Sequence, residues 1–253
     1  MRWYRWGQGP AVLLLHGGHG SWMHWVHNVV ELSAHHTVWV PDMPGFGASD
    51  TLPGAPHGPN RLNHLVEVLV AGLNQVLVGD KRLDVVGFSF GGVVATQVAG
   101  LWPDTQRLAL LGPAGHGGAR RQTTELLNWR GLRGAALWQT QAHNLAAFML
   151  HDPTQVDATA LLAHHCSAHA TRFHSKSISR QNPLLDLLLV HTQDLLLVWG
   201  EHDVTAVPDT MGPQLLAQRH NRRLVVVPNA GHWVQFEQPS VTNNLLLAWL
   251  SGV

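Results

Sequence analysis

Ser89 sits in Gly87-Phe88-Ser89-Phe90-Gly91-Gly92, between an apolar run and a stretch of helical pattern. A Gly-x-Ser-x-Gly turn in that context lifts a serine onto a sharp strand-to-helix bend. Glycine is needed on either side because a Cβ there would run into the neighbouring strand and helix. The Ser89 hydroxyl would then stand exposed, and the Phe90 amide, at a helix N-terminus, would face any negative oxygen that develops beside it. The chemistry this permits is attack on a carbonyl.

A lone serine is a poor nucleophile and needs a base. The chain has 19 histidines, so the presence of one decides nothing. Position selects His232, in Asn229-Ala230-Gly231-His232-Trp233, directly after the apolar run LVVVP. Asp203, in Trp199-Gly200-Glu201-His202-Asp203, directly follows LLLVW and would orient the histidine. All three residues fall at the carboxyl ends of expected strands, where open α/β sheets place their sites. A fourth stretch, His16-Gly17-Gly18-His19-Gly20-Ser21, follows the first clear strand. Glycine lets the backbone approach a bound carbonyl, so the amide of Gly18 or His19 is the second expected oxyanion donor.

These residues need a scaffold, and the apolar runs supply one. Strands are expected at Ala11–His16, Thr37–Val40, Leu83–Gly87, Leu108–Leu111, Leu195–Trp199 and Leu224–Val227. Runs of this kind, bounded by Gly and Pro, fit strands buried on both faces. Helical spacing runs from Arg61 to Val78, Phe90 to Leu101 and Val241 to Leu250. The alternation predicts an α/β fold, a mostly parallel sheet flanked by helices. It is interrupted between Leu111 and Leu195, where helical patches such as Glu125–Trp138 and Ala158–His169 replace strands. A structureless loop of that length is implausible. The stretch reads as a helical cap inserted after the Leu108–Leu111 strand, giving a core of 1–114 and 191–253 and a cap of 115–190.

Composition narrows the function. The 253 residues are 45% hydrophobic and 13% charged, with 16 basic against 16 acidic. That excludes the charge-rich disordered class and the basic stripe of a nucleic-acid binder. No run of 18 apolar residues suggests a membrane span, and the N-terminus carries no leader-like stretch. A single cysteine, Cys166, rules out an intrachain disulfide and a four-cysteine zinc site. A cytoplasmic protein is the expectation.

The stretches LLLHGGHGSW, VPDMPGFGASD, VVGFSFGG, LLVWGEHDVTAVP and NAGHWVQFEQP, taken together, resemble the α/β-hydrolase superfamily over essentially the full length. The resemblance implies Ser89 as nucleophile, His232 as general base and then acid, and Asp203 as its orienter. It also implies a structural role for the PDMPGFGASD loop, along one side of the site. Relatives carry a two-strand hairpin before the first clear strand, where Arg2–Trp6 offers one short strand. A serine at the elbow argues against the branches that use aspartate there. Gly231–Glu237 is similar to the corresponding stretch in the carbon–carbon bond hydrolases of meta-cleavage pathways. Those enzymes place a tryptophan after the histidine, matched by Trp233, and an arginine in the cap, for which Arg172 and Arg180 are the candidates. Their usual Asn or His before the serine is replaced by Phe88, and their proline-containing oxyanion pattern is absent.

The expected substrate is a small-molecule carbonyl compound, an ester or thioester, with a meta-cleavage dienoate as the alternative. A lyase or a slow-turnover ligand receptor on the same fold is the reading from another class. No metal or cofactor is expected. His165 and His169 lie one helical turn apart near His164 and Cys166, but spacing fixes no further ligand. Arg120, Arg121, Arg130 and Arg133 form a basic cluster, by default a solvated face, otherwise a site for an anionic substrate group. Trp22, Trp25, Trp129 and Trp138 read as packing residues, with Trp22 or Trp25 near enough to the oxyanion loop to wall a pocket.

Overall fold

The computed structural model describes residues 1–54, 58, 60–181, 183–217 and 219–252. Seven strands form one sheet: β1 (Arg2–Trp6), β2 (Ala11–Leu15), β3 (Thr37–Asp42), β4 (Leu83–Phe88), β5 (Thr105–Leu111), β6 (Asp194–Gly200) and β7 (Arg222–Val227). Their order is β1-β3-β2-β4-β5-β6-β7. Only β1 runs antiparallel, pairing Arg2 with Asp42 through Trp6 with Val38 on β3. The one short strand expected near the N-terminus is therefore present as an edge strand.

The helices among the described residues are α1 (Val29–Ser33), α2 (Arg61–Val76), α3 (Phe90–Leu101), α4 (Gly134–Phe148), α5 (Ala158–His169), α6 (Lys176–Arg180), α7 (Pro183–Leu189), α8 (Pro208–Leu216), α9 (Val234–Glu237) and α10 (Pro239–Ser251). None is long and apolar enough to cross a membrane.

Alternate strand residues divide between two apolar layers. Leu13, Leu15, Val85, Leu110 and Leu197 pack with α2, α3, α7 and α8. Val12, Leu14, Val86, Leu111 and Val198 face the opposite way, against α1 and α10. This division follows from the two-residue period of a strand. It explains why the strands read as unbroken apolar runs rather than alternating ones.

Between β5 and β6 the chain forms α4 to α7. Helices α4 and α5 pack on each other, and α7 packs on α3. The helix expected at Glu125–Trp138 is displaced toward the C-terminus and starts at Gly134. Gly131 and Gly134 have φ of 84° and 55°, and Arg133 is extended at φ −142° and ψ 165°. Those conformations break a helix before it can include Leu126 and Leu127. The stretch 118–133 is instead without helix or strand. It is held by Asn144, which exchanges two hydrogen bonds with the Leu127 backbone at 2.8 and 2.9 Å.

Candidate active site

Ser89 lies between the last residue of β4 and the first of α3, with φ 53° and ψ −119°. A non-glycine residue held there stores backbone strain, which surrounding structure must support. The support is visible. The Ser89 amide donates to the Leu111 carbonyl at 2.9 Å, and its own carbonyl accepts from Gly92 and Ala114. A Cβ on Gly87 would lie 2.3 Å from the Gly91 carbonyl oxygen. A Cβ on Gly91 would lie 2.4 Å from the carbonyl oxygens of Leu15 and His16. Both glycines are therefore required by close approach of strand and helix.

His232 and Asp203 arrive from the loops after β7 and β6. His232 Nε2 is 3.0 Å from Ser89 Oγ, and His232 Nδ1 is 2.9 Å from Asp203 Oδ2. Thr205 completes the group. Its amide and its hydroxyl both donate to Asp203 Oδ1 at 2.7 Å, and its Oγ1 is 3.2 Å from His232 Nδ1. Asp203 is wholly buried. Burial alone would push its carboxyl up; the facing His232 and the Thr205 donors outweigh that and hold it below the usual carboxylate value. With Nδ1 turned to a carboxylate, His232 Nε2 is left as the acceptor facing the serine.

Ser89 opens into a cavity of ≈ 830 Å³, whose wall includes Gly18, His19, Phe88, Ala114 and Phe148. Of the expected pocket residues, Phe88 and Arg180 line it. Phe88 stands between two imidazoles, its ring centroid 5.0 Å from His232 and 5.3 Å from His24. The cavity wall does not include Trp22, Trp233 or Arg172. The Trp22 ring instead meets Tyr4 and Trp6, both at 5.5 Å. Trp233 is fully buried, stacks on Phe236 and donates its indole N–H to the His24 carbonyl at 3.0 Å. Arg172 is exposed, and its guanidinium bonds the carbonyls of Ala170 and Ser49. Trp25 is likewise a core residue. The PDMPGFGASD loop packs behind the oxyanion stretch, with Phe46 against His16 and Phe90.

Part of the cationic cluster does reach the cavity. Arg120 and Arg130 line it, joined by Lys176 and Arg180, whereas Arg121 and Arg133 do not. Arg120 is held below its usual basicity by burial and by the charge of Arg180, while Asp203 acts in the opposite sense. Both guanidiniums line the same cavity, where like charges repel and an anionic group would be favoured. Trp129, expected as packing only, also lines the cavity and meets His165 and His169 at its edge. Among the described residues no group of three or more His, Cys, Asp or Glu is placed to hold a metal ion. Cys166 is exposed.

Glu237 was not singled out by the sequence. Its buried carboxylate accepts the amides of Gly231 at 2.6 Å, Asp152 at 2.7 Å and His151 at 3.1 Å. It thereby ties the loop carrying His232 to the turn that follows α4. The signal was its place, five residues beyond His232 in a stretch already noted for its resemblance.

Known proteins resemble the chain over nearly its full length. The profile described as the alpha/beta hydrolase family matches residues 12–245. The 2-hydroxy-6-oxo-6-phenylhexa-2,4-dienoate hydrolase of Burkholderia cepacia is 30% identical, over 97% of this chain and 89% of its own. Among solved structures, a meta-cleavage product hydrolase from Pseudomonas fluorescens IP01 superposes with a TM-score of 0.78 at 22% identity, covering 99% of this chain and 94% of that one. A thermophilic esterase from Thermogutta terrifontis gives 0.77 at 22%, covering 99% and 93%. At those identities the structural likeness speaks for the fold alone.

Proposed function

Because the chain belongs to the alpha/beta hydrolase family and is a hydrolase, we propose that it cleaves a small carboxylic ester or thioester through a Ser89–His232–Asp203 triad and an acyl-enzyme. The observation that carries this reading is the continuous relay, 3.0 Å from Ser89 Oγ to His232 Nε2 and 2.9 Å from His232 Nδ1 to Asp203 Oδ2. His232 takes the Ser89 proton as Oγ attacks the carbonyl. The oxygen that becomes negative is held by the Phe90 amide and by that of Gly18 or His19. His232 gives the proton to the leaving alkoxide or thiolate, which departs as the alcohol or thiol. It then takes a proton from water, whose oxygen attacks the acyl carbon. Collapse of that second intermediate frees the acid and returns the proton to Ser89.

The segment 115–190 acts in this proposal as the cap that sets specificity, over a core of 1–114 and 191–253. The lone cysteine fits a cytoplasmic setting. The basic wall of Arg120 and Arg180 favours a substrate bearing an anionic group. That wall also favours a second reading, carbon–carbon bond cleavage of a dienoate, the substrate class named for the Burkholderia cepacia relative. Phe88 supports the ester reading instead, since it places no polar group beside the nucleophile.

A substrate panel separates the readings. The ester reading expects turnover of p-nitrophenyl esters or acyl-thioesters to exceed that of a meta-cleavage dienoate. The reverse order selects the carbon–carbon reading. No turnover of any of them points to a lyase or a ligand receptor.

A further inference from the structure

Gly17 is gripped from both sides by buried histidines that lie outside the relay. Its amide donates to His24 Nδ1 at 3.1 Å, and His16 Nδ1 lies 2.8 Å from its carbonyl oxygen. These partners fix both tautomers. His24 Nδ1 is an acceptor, so its proton is on Nε2. His16 Nδ1 faces a carbonyl and is the donor, while its Nε2 accepts the Met43 amide at 3.0 Å.

The geometry of the peptide unit carries this grip to Gly18. In a trans peptide the carbonyl oxygen and the following N–H point in opposite directions. Holding the Gly17 oxygen toward His16 therefore turns the Gly18 N–H away from it. Holding the Gly17 nitrogen toward His24 fixes the preceding peptide and leaves the pair no free rotation. The gripped residue abuts the nucleophile: a Cβ on Gly17 would lie 3.2 Å from the Ser89 Cβ.

We propose that His24 is a positioning residue for the oxyanion loop, holding the Gly17–Gly18 peptides so that the Gly18 N–H meets the oxygen developing beside Ser89. This rests on the serine hydrolase reading. His24 is itself held firmly. It is 2% exposed, and its ring packs on Phe88 at 5.3 Å and Trp233 at 5.0 Å. Its carbonyl accepts the indole N–H of Trp233 and the side-chain amide of Gln235. Since Trp233 follows His232 directly, the oxyanion loop and the loop carrying the base are joined through this one residue. Burial, and then the neighbouring His16, His164, His232 and His19, hold the His24 imidazole well below its usual basicity. The acceptor tautomer is thereby kept, because a protonated ring would set one N–H against another. The position carries a sequence signal in hindsight, a histidine in the Trp22–Trp25 turn three residues past Ser21, which caps that turn.

The test compares His24→Phe, which keeps a ring but no acceptor, with His24→Asn, whose Oδ1 stands where Nδ1 stood. The substrate is the panel ester that the native enzyme turns over and the Ser89→Ala variant does not. His24→Phe is expected to lower kcat about 100-fold, the order seen when one oxyanion donor is lost, with KM within about twofold. His24→Asn is expected to recover most of that loss. Affinity for a trifluoromethyl ketone, which forms a tetrahedral adduct, should follow kcat in both. If His24→Phe does not fold by circular dichroism, His24→Gln, whose acceptor is displaced by one methylene, becomes the low-kcat variant. A folded Phe variant, or in its place a folded Gln variant, with kcat near native, or an Asn variant no better than it, overturns the proposal. Turnover that survives Ser89→Ala fails the hydrolase reading itself, and this proposal with it.

Discussion

Thr205 Oγ1 lies 2.7 Å from Asp203 Oδ1 and, within the same group, 3.2 Å from His232 Nδ1. Oδ1 takes both Thr205 donors, which leaves Oδ2 for the imidazole. Asp203→Asn should present an amide N–H or the wrong acceptor to His232 and cost about 10⁴ in kcat, as in comparable triads. Thr205→Val removes the hydroxyl that meets both Asp203 and His232 but keeps the amide donor and the imidazole–carboxylate bond, and should cost only about tenfold. Steady-state kinetics on the best panel substrate checks both. Equal losses in the two variants would show that the threonine is not secondary.

Arg180 and Arg172 give a paired prediction, because the sequence proposed both and the structure separates them. Arg180→Ala should raise KM for a carboxylate-bearing ester by about 10- to 100-fold, the worth of a charge-assisted hydrogen bond. It should leave a neutral ester nearly unchanged. Arg172→Ala should alter neither, since that guanidinium bonds only backbone carbonyls away from the cavity.

Glu237→Ala strips three amides of their acceptor at a buried position. Thermal unfolding should show a loss of roughly 2–4 kcal/mol, the cost of unsatisfied buried donors once served by a charge. A variant with native stability would mean that water replaces the carboxylate.

Two titrating groups give stability predictions of opposite sign. His164, on α5, is lowered to about 4 by burial and then by the nearby His19 and His165. From its usual value near 6.5 down to about 4, the unfolded chain takes up a proton that the folded chain refuses. Stability is thus held above the upper value and lost as pH falls through the window. His164→Asn should flatten that acid slope. Asp84, on β4, is raised to about 6 by burial, against the pull of Arg107. Here the folded chain keeps a proton that the unfolded chain releases, so stability falls as pH rises between about 4 and 6. The worth is about 1.4 kcal/mol for each pH unit between the two values. Asp84→Asn should raise Tm at pH 8 and leave it nearly unchanged at pH 4. A gain that is the same at both pH values would show that the carboxyl is not the cause.

The three residues of the relay were legible because their positions follow from local rules. Ser89 sits between glycines that close packing of β4 on α3 demands, and Asp203 and His232 each follow an apolar run. The pocket was less legible, for two physical reasons. Trp233 follows the base in sequence, yet a residue's neighbour along the chain leaves in another direction, and its indole turns into the core toward His24. The wall formed by 118–133 has no periodicity, because it is irregular backbone held by long-range bonds such as those of Asn144 to Leu127. The helix expected there fails at Gly131 and Gly134. The contrast between Arg180 and Arg172 likewise depends on where the chain turns after α5, which composition does not encode.

That Ser89 is the nucleophile can be tested by removing its hydroxyl alone. The kcat of Ser89→Ala should be measured against the native enzyme on the panel substrate with the highest turnover, with folding verified by circular dichroism. A fall of at least about 10⁴-fold is expected. A folded Ser89→Ala variant that keeps kcat within about tenfold of native would contradict it.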